Sequence, residues 1–248
     1  LEKTNKPLVI HGEHPDYMHN EPLTELADHT KNRNNAESKC LSSMPSSPYL
    51  HVAHLSTTDG LNNMPSLATS EVCPHHLLLN LENCHSLDCK VDPPLRTRND
   101  NNALYNAFRE GKIPILASDH APHTISEKRS KNPPSGLPGV ETMIPLMLNE
   151  VSEGRLDMNR LVSAMSESPA SRLGLDRGRI SEGLTADFMM VDMKNSKPIE
   201  LDKLHSKANW TPFEGWPAIF PLKVYRRGEL IVDNGEITTK SNGHNLFS

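Results

Sequence analysis

Apolar residues in this chain gather into short runs separated by long polar stretches. Leu8–Ile10, Leu50–Ala53, a weaker run at Cys89–Val91, and Ile113–Ala117 have the length and branching of buried strands. The intervals between them leave room for helices, most clearly from Asn99 to Gly111. There, Asn and Asp open the segment, Leu104 and Phe108 stand four apart on one face, and Gly111 closes it. Strands alternating with helical segments predict βαβ units and a parallel sheet. Further on, Val140–Glu153 and Met158–Ser166 read as amphipathic helices. Ser168-Pro169-Ala170 starts another, with proline near its first turn.

The texture changes near Arg179. Asp187–Val191, Val224–Tyr225 and Leu230–Val232 are strand-like, Asn234-Gly235 is a hairpin turn signal, and a Trp/Pro-rich connector runs from Trp210 to Pro221. The expected division is therefore 1–179 for the α/β part and 180–248 for a small β-rich appendage with a C-terminal tail. Two segments are rich in Asn, Ser, Lys and Pro: 28–47 predicts a loop or a poorly ordered helix, and 124–137 a loop. The second follows the most polar strand end and is expected to be a mobile loop over a site. No internal repeat is evident.

Composition narrows the function classes. The net charge of −5 over 248 residues gives no electrostatic case for nucleic acid or an anionic membrane surface. No apolar run approaches the ~20 residues of a membrane span. Leu1-Glu2-Lys3-Thr4 carries no hydrophobic signal region, and the chain enters its first strand almost at once without an initiator methionine; it is expected to be cut from a larger protein. Cys40, Cys73, Cys84 and Cys89 lack zinc-finger spacing and are expected to be reduced thiols of a cytoplasmic protein.

Three of the strand-like runs end in groups that bind metals or move protons. The first continues into His11-Gly12-Glu13, the second into His54-Leu55-Ser56-Thr57, and the last into Ser118-Asp119-His120-Ala121-Pro122-His123. One such histidine is more often a hydrogen-bonded loop residue than a ligand. Three endings of this kind on successive strands point to a shared site, because catalytic side chains of a parallel β/α barrel gather at the C-terminal ends of its strands. Imidazole and carboxylate together suit zinc and similar divalent ions.

Four motifs then carry a resemblance. Thr69-Ser70-Glu71-Val72-Cys73-Pro74-His75-His76, Lys90-Val91-Asp92-Pro93-Pro94-Leu95-Arg96, Ser118-Asp119-His120-Ala121-Pro122-His123 and Gly136-Leu137-Pro138-Gly139-Val140-Glu141-Thr142 resemble, in order and spacing, the dihydroorotases of the amidohydrolase superfamily, from about residue 7 to 240. The resemblance implies a (β/α)8 TIM-barrel metallohydrolase, here the C-terminal half of the barrel plus part of a β-rich domain. It implies one or two zinc ions, with His11, His54 and Asp119 as ligands and Asp119 also as general base and acid. Substrate contacts would come from His123, Asp92 and the backbone of Pro138 and Gly139. The substrate would be N-carbamoyl-L-aspartate or dihydroorotate, in pyrimidine biosynthesis, and a homodimer or a carbamoyltransferase is the expected partner. His75 and His76 would pack beneath the site, and Arg96 would pair with a carboxylate.

The chain departs from the family pattern at two places. Asp92 stands where the family has a substrate-binding asparagine, which puts a negative charge near an anionic substrate. No His-x-His precedes His11, and no residue suggests itself as the bridging ligand. Two alternatives to a dihydroorotase stay open: a non-catalytic dihydroorotase-like partner, and another cyclic amidohydrolase of allantoinase or hydantoinase type.

Overall fold

The computed structural model describes residues 6–19, 21–239, 243, 245 and 246. Most of the expected tail and the first five residues lie outside them. Residues group into two compact units, Leu1–Met143 with Glu200–Glu214, and Ile144–Ile199 with Gly215–Ser248.

The first unit is built on four parallel strands in the order β1 (Leu8–His11), β2 (Leu50–Ala53), β3 (Thr69–Val72) and β4 (Ile115–Leu116). The register places His11 level with Ala53, so His54 leaves β2 one residue later along the same edge. Cys73 follows β3 directly, and Asp119 follows β4 by three residues. Because the strands are parallel, all four side chains leave from the C-terminal edge of the sheet.

The helices are α1 (Leu26–Asn32), α2 (Ala36–Ser43), α3 (Thr58–Asn62), α4 (Pro74–Leu78), α5 (Arg98–Arg109), α6 (Ile125–Lys128) and α7 (Val140–Ser152), whose last nine residues fall in the second unit. The α5 helix forms where its pattern predicts. Thr97 caps it through the Asp100 amide, the Asp100 side chain bonds back to Thr97, and Gly111 leaves it at φ +80°. Its inward face, Asn101, Leu104 and Phe108, is buried, with Leu104 and Phe108 fully so. Burying those two side chains contributes about 2–3 kcal/mol each before the cost of ordering them.

Four sequence expectations need correction or narrowing. The third strand is Thr69–Val72, not Cys89–Val91. The latter forms a single 3-10 turn at Leu87–Cys89, and its polar backbone is satisfied elsewhere, the Lys90 carbonyl by Gly136 N and the Val91 carbonyl by His29 Nε2. Residues 28–47 take the helical alternative and hold most of α1 and all of α2. The 124–137 segment is tied down: the buried Lys128 ammonium donates to the carbonyls of Lys90, Pro134 and Gly136 at 2.8, 2.8 and 3.0 Å. Finally, the turn between Asn80 and Lys90 brings Cys84 and Cys89 together as a disulfide, while Cys40 and Cys73 are free and buried.

The second unit carries α8 (Met158–Val162), continued by a π turn at Ser163–Glu167 into α9 (Ser168–Leu173). Its antiparallel sheet runs β10 (Glu236–Ile237), β9 (Glu229–Asp233), β8 (Lys223–Arg226), β5 (Phe188–Met190). A separate two-stranded ribbon pairs β6 (Lys197–Pro198) with β7 (Pro217–Ala218). The β9–β10 turn has Asn234 at φ +51° and Gly235 at φ +88°, the left-handed pair such a tight hairpin requires. Among the described residues no helix is long and apolar enough to cross a membrane.

Candidate active site

His11 and His54 meet at the C-terminal edge of the sheet. Nδ1 of His11 lies 3.2 Å from Nε2 of His54, and the rings approach edge to face. The other nitrogen of His11, Nε2, donates to Glu13 Oε2 at 2.8 Å. That bond puts the ring proton on Nε2 and leaves the Nδ1 lone pair facing His54. A separation of 3.2 Å is what two imidazoles on one zinc, each about 2.0–2.1 Å from it, would show. The Glu13 carboxylate behind His11 is the kind of partner that orients a metal-binding imidazole. The close approach of His11 Nδ1 and His54 Nε2, with Glu13 behind His11, fits a divalent metal.

Backbone geometry marks the same residues. His54 has φ +37° and Asp119 φ +45°, both in the left-handed region that non-glycine residues rarely enter. Residues held this way cluster at functional sites. Burial pushes the Asp119 carboxyl up from its ordinary value, with the negative charges of Glu71 and Asp92 adding to the effect and His54 and His11 opposing it. Burial likewise lowers His54, with His11 acting in the same direction. Asp119 Oδ2 also lies 3.9 Å from Nε2 of the buried His75.

The substitution at position 92 is matched by its surroundings. Asp92 Oδ1 accepts from His29 Nε2 at 2.8 Å, and Oδ2 pairs with Arg33 Nη2 at 3.2 Å. Burial alone would raise the Asp92 pKa, but the His29 hydrogen bond and the Arg33 charge outweigh it and hold it down to about 2. Arg33 also grips Glu13, which Arg96 approaches at 3.6 Å. Burial would raise Glu13 too. The His11 hydrogen bond and the two guanidinium charges bring it below its ordinary value. One chain of charges thus links His11 to Asp92.

Gly139 and Pro138 are buried beside the Asp119 loop. Gly139 N donates to His120 Nδ1 at 3.2 Å, and a Cβ at Gly139 would stand 2.6 Å from the Ser118 carbonyl oxygen, so only glycine lets these two motifs approach. His123 and His120 line an open cavity of about 560 Å³, together with Val140, Glu141 and His205. The His123 carbonyl is held by the Trp210 indole N–H at 2.7 Å. Of the residues expected from sequence, His11 and His54 are in direct contact, and Pro138 and Gly139 lie against the Asp119 loop. His123 faces the cavity, and Asp92 joins the site through Arg33 and Glu13.

Glu13, His29, Arg33 and Glu71 were not singled out from sequence. Glu13 had a usable signal: two residues after His11, it is a carboxylate at the end of an apolar run. His29 and Arg33 stand four apart and face one carboxylate from the end of α1, a pairing visible only once that segment is recognised as helical.

A family model for the amidohydrolase family matches residues 2–231, and the chain belongs to that family. The dihydroorotase of Methanosarcina acetivorans is 42% identical over 209 residues, covering 77% of this chain and 45% of the relative. That of Archaeoglobus fulgidus is 39% identical over 230 residues, covering 91% and 55%, and that of Thermoplasma volcanium 47% over 167 residues, covering 67% and 40%. The chain spans about half the length of the curated relatives it matches. Among solved structures, the L-hydantoinase (dihydropyrimidinase) of Arthrobacter aurescens superimposes with a TM-score of 0.83 at 24% identity, over 94% of this chain and 58% of that one. This likeness shows the fold, which is of the α/β TIM-barrel type.

Proposed function

We propose that this member of the amidohydrolase family is a dihydroorotase, interconverting N-carbamoyl-L-aspartate and L-dihydroorotate in pyrimidine biosynthesis. The observation that carries the reading is the His11–His54 pair at 3.2 Å on the strand edge from which Asp119 also leaves. The relatives named dihydroorotase, 37–47% identical, support it. In this reading 1–179 is the C-terminal half of the barrel and 180–248 the β-rich appendage.

His11 and His54 would hold one metal and Asp119 the other, zinc in this reading. When bound, the ion supplies Lewis acidity and a water of lowered pKa. The remaining work falls to the chain's own side chains. Asp119, its carboxyl raised by burial, is placed to take a proton from the attacking water and return it to the departing ring nitrogen. His123, at the cavity, binds the substrate carboxylate, with the Pro138-Gly139 backbone against the ring. Asp92 is already paired with the Arg33 guanidinium and hydrogen-bonded by His29, so its charge does not stand unopposed before an anionic substrate.

A homodimer or a carbamoyltransferase complex belongs to the same proposal, and sedimentation with and without that enzyme tests it. So does a cytoplasmic location: the free thiols of Cys40 and Cys73 fit it, the Cys84–Cys89 bond does not, and thiol titration of protein made in the cytoplasm decides. The activity itself is tested by steady-state turnover of zinc-loaded protein. Consumption of N-carbamoyl-L-aspartate and of dihydroorotate is expected. Turnover of hydantoin or allantoin with neither of these consumed would move the assignment to another cyclic amidohydrolase.

A further inference from the structure

A second set of metal-capable side chains lies just past β3, at Cys73, His75 and His76. All three are buried, at 0, 2 and 1% exposure, and their donor atoms lie within 4.8 Å of one another. Cys73 is the N-cap residue of α4, and the two histidines sit in its first turn with ring centroids 4.4 Å apart. Nε2 of His76 donates to the Pro93 carbonyl at 3.0 Å. That bond fixes the tautomer and leaves the Nδ1 lone pair free, and Nδ1 is buried with no hydrogen-bond partner. Nε2 of His75 is buried and unpartnered as well.

A buried polar atom left without a partner costs about 1–3 kcal/mol. Two on adjacent residues, both beside a thiol, are unusual for histidines that only pack. Neither ring is a cation at neutral pH: burial holds His75 down to about 3 and His76 well below its ordinary value. Two neutral imidazoles and a cysteine form the mixed nitrogen–sulfur set that zinc-class ions prefer. The Pro93 carbonyl behind His76 is the outer partner such a ligand usually has.

We infer that Cys73, His75 and His76 form a second metal site, separate from the His11–His54 pair, for a thiophilic divalent ion of the zinc class. Binding exchanges the thiol proton, released to solvent, for a sulfur–metal bond. The fourth ligand is a water; Asp119, whose Oδ2 lies 3.9 Å from His75 Nε2, stays with the His11–His54 site.

Cobalt(II) substitution tests this without reference to turnover. Protein stripped with a chelator and titrated with Co2+ should develop a near-ultraviolet thiolate-to-cobalt charge-transfer band, which the nitrogen–oxygen set of His11, His54 and Asp119 cannot produce. The band should vanish in Cys73→Ser and in His76→Gln, each checked for native circular dichroism, and persist in His11→Ala and in Cys40→Ser. Bound zinc should fall by one ion per chain in Cys73→Ser. Absence of the band in folded wild-type protein overturns the site, a result that stands even if the variants fail to fold. A band that survives in folded Cys73→Ser overturns it equally.

Discussion

Replacing Glu37 by glutamine should loosen the strand end that carries His54. Glu37 sits on α2, yet it is 1% exposed, and its carboxylate is filled by four donors. Oε1 accepts from Ser56 N at 2.8 Å and Ser56 Oγ at 3.1 Å. Oε2 accepts from Thr57 N at 2.8 Å and from Thr57 Oγ1. These donors lie two and three residues beyond His54, so one buried carboxylate holds the turn that aims that histidine. Glutamine has the same shape but only one acceptor oxygen. In either orientation one backbone N–H faces an amide NH2. The adjacent hydroxyl can rotate to accept, and the N–H cannot. One orphaned N–H costs about 1–3 kcal/mol, and the bonds that remain lose the assistance of a full charge, about 1 kcal/mol more. Relief of the burial that raises the Glu37 pKa offsets part of this. The expected net loss is about 2 kcal/mol. At a typical slope of about 2 kcal/mol per molar urea, the unfolding midpoint should fall by about 1 M. Zinc affinity, measured by chelator competition, should weaken on the order of tenfold, the usual cost of disturbing a group that orients a metal ligand. An unchanged midpoint together with unchanged zinc affinity would refute the role given to Glu37.

Three further outcomes are expected. Asp119→Asn should reduce carbamoyl aspartate turnover by at least about a hundredfold with native circular dichroism, since it removes a general base; retention of most of kcat would contradict the assignment. His123→Ala should raise KM about tenfold with a smaller change in kcat, and an unchanged KM would remove it from the substrate cavity. Asp92 gives a pH signature. Its folded pKa of about 2 lies below the ordinary 3.8, so the stability it contributes is present above about pH 4 and lost as pH falls through 2. The shift corresponds to roughly 2 kcal/mol, halved to about 1 for a side chain one-third exposed. Acid titrations of wild type and Asp92→Asn should therefore converge below pH 2, and parallel curves down to that pH would count against the pairing.

The parts of the fold readable from sequence are those whose information is local. Leu50–Ala53 forms a strand over the predicted residues, and the 99–111 helix differs only at its ends, because apolar runs and caps are decided within a few positions. Thr69–Val72 was missed as a strand because only one of its four residues is apolar. It is held between two parallel neighbours, and that pairing, not its own composition, makes it a strand. Lys128 was read as part of a loose loop because its partners are carbonyl oxygens, which no residue type announces.

Asp92 shows what this difference means for function. In sequence it is an isolated departure, a carboxylate where the family has an amide, and it argues against binding an anion. Its compensation lies about sixty residues away, in His29 and Arg33, and continues through Arg33 to Glu13 and so to His11. In the proposed site, substrate electrostatics and metal-ligand orientation are therefore not independent. Arg33 serves both carboxylates, so removing its charge leaves Glu13 and Asp92 each short of a partner at the same moment. Buried or half-buried carboxylates that lose a cation bind protons more readily. A protonated Glu13 would no longer fix the His11 tautomer. Arg33→Met should thus weaken zinc binding as well as substrate binding, and adding Asp92→Asn should restore part of the substrate affinity but none of the zinc affinity. Equal recovery of both would break the link between Arg33, Glu13 and His11.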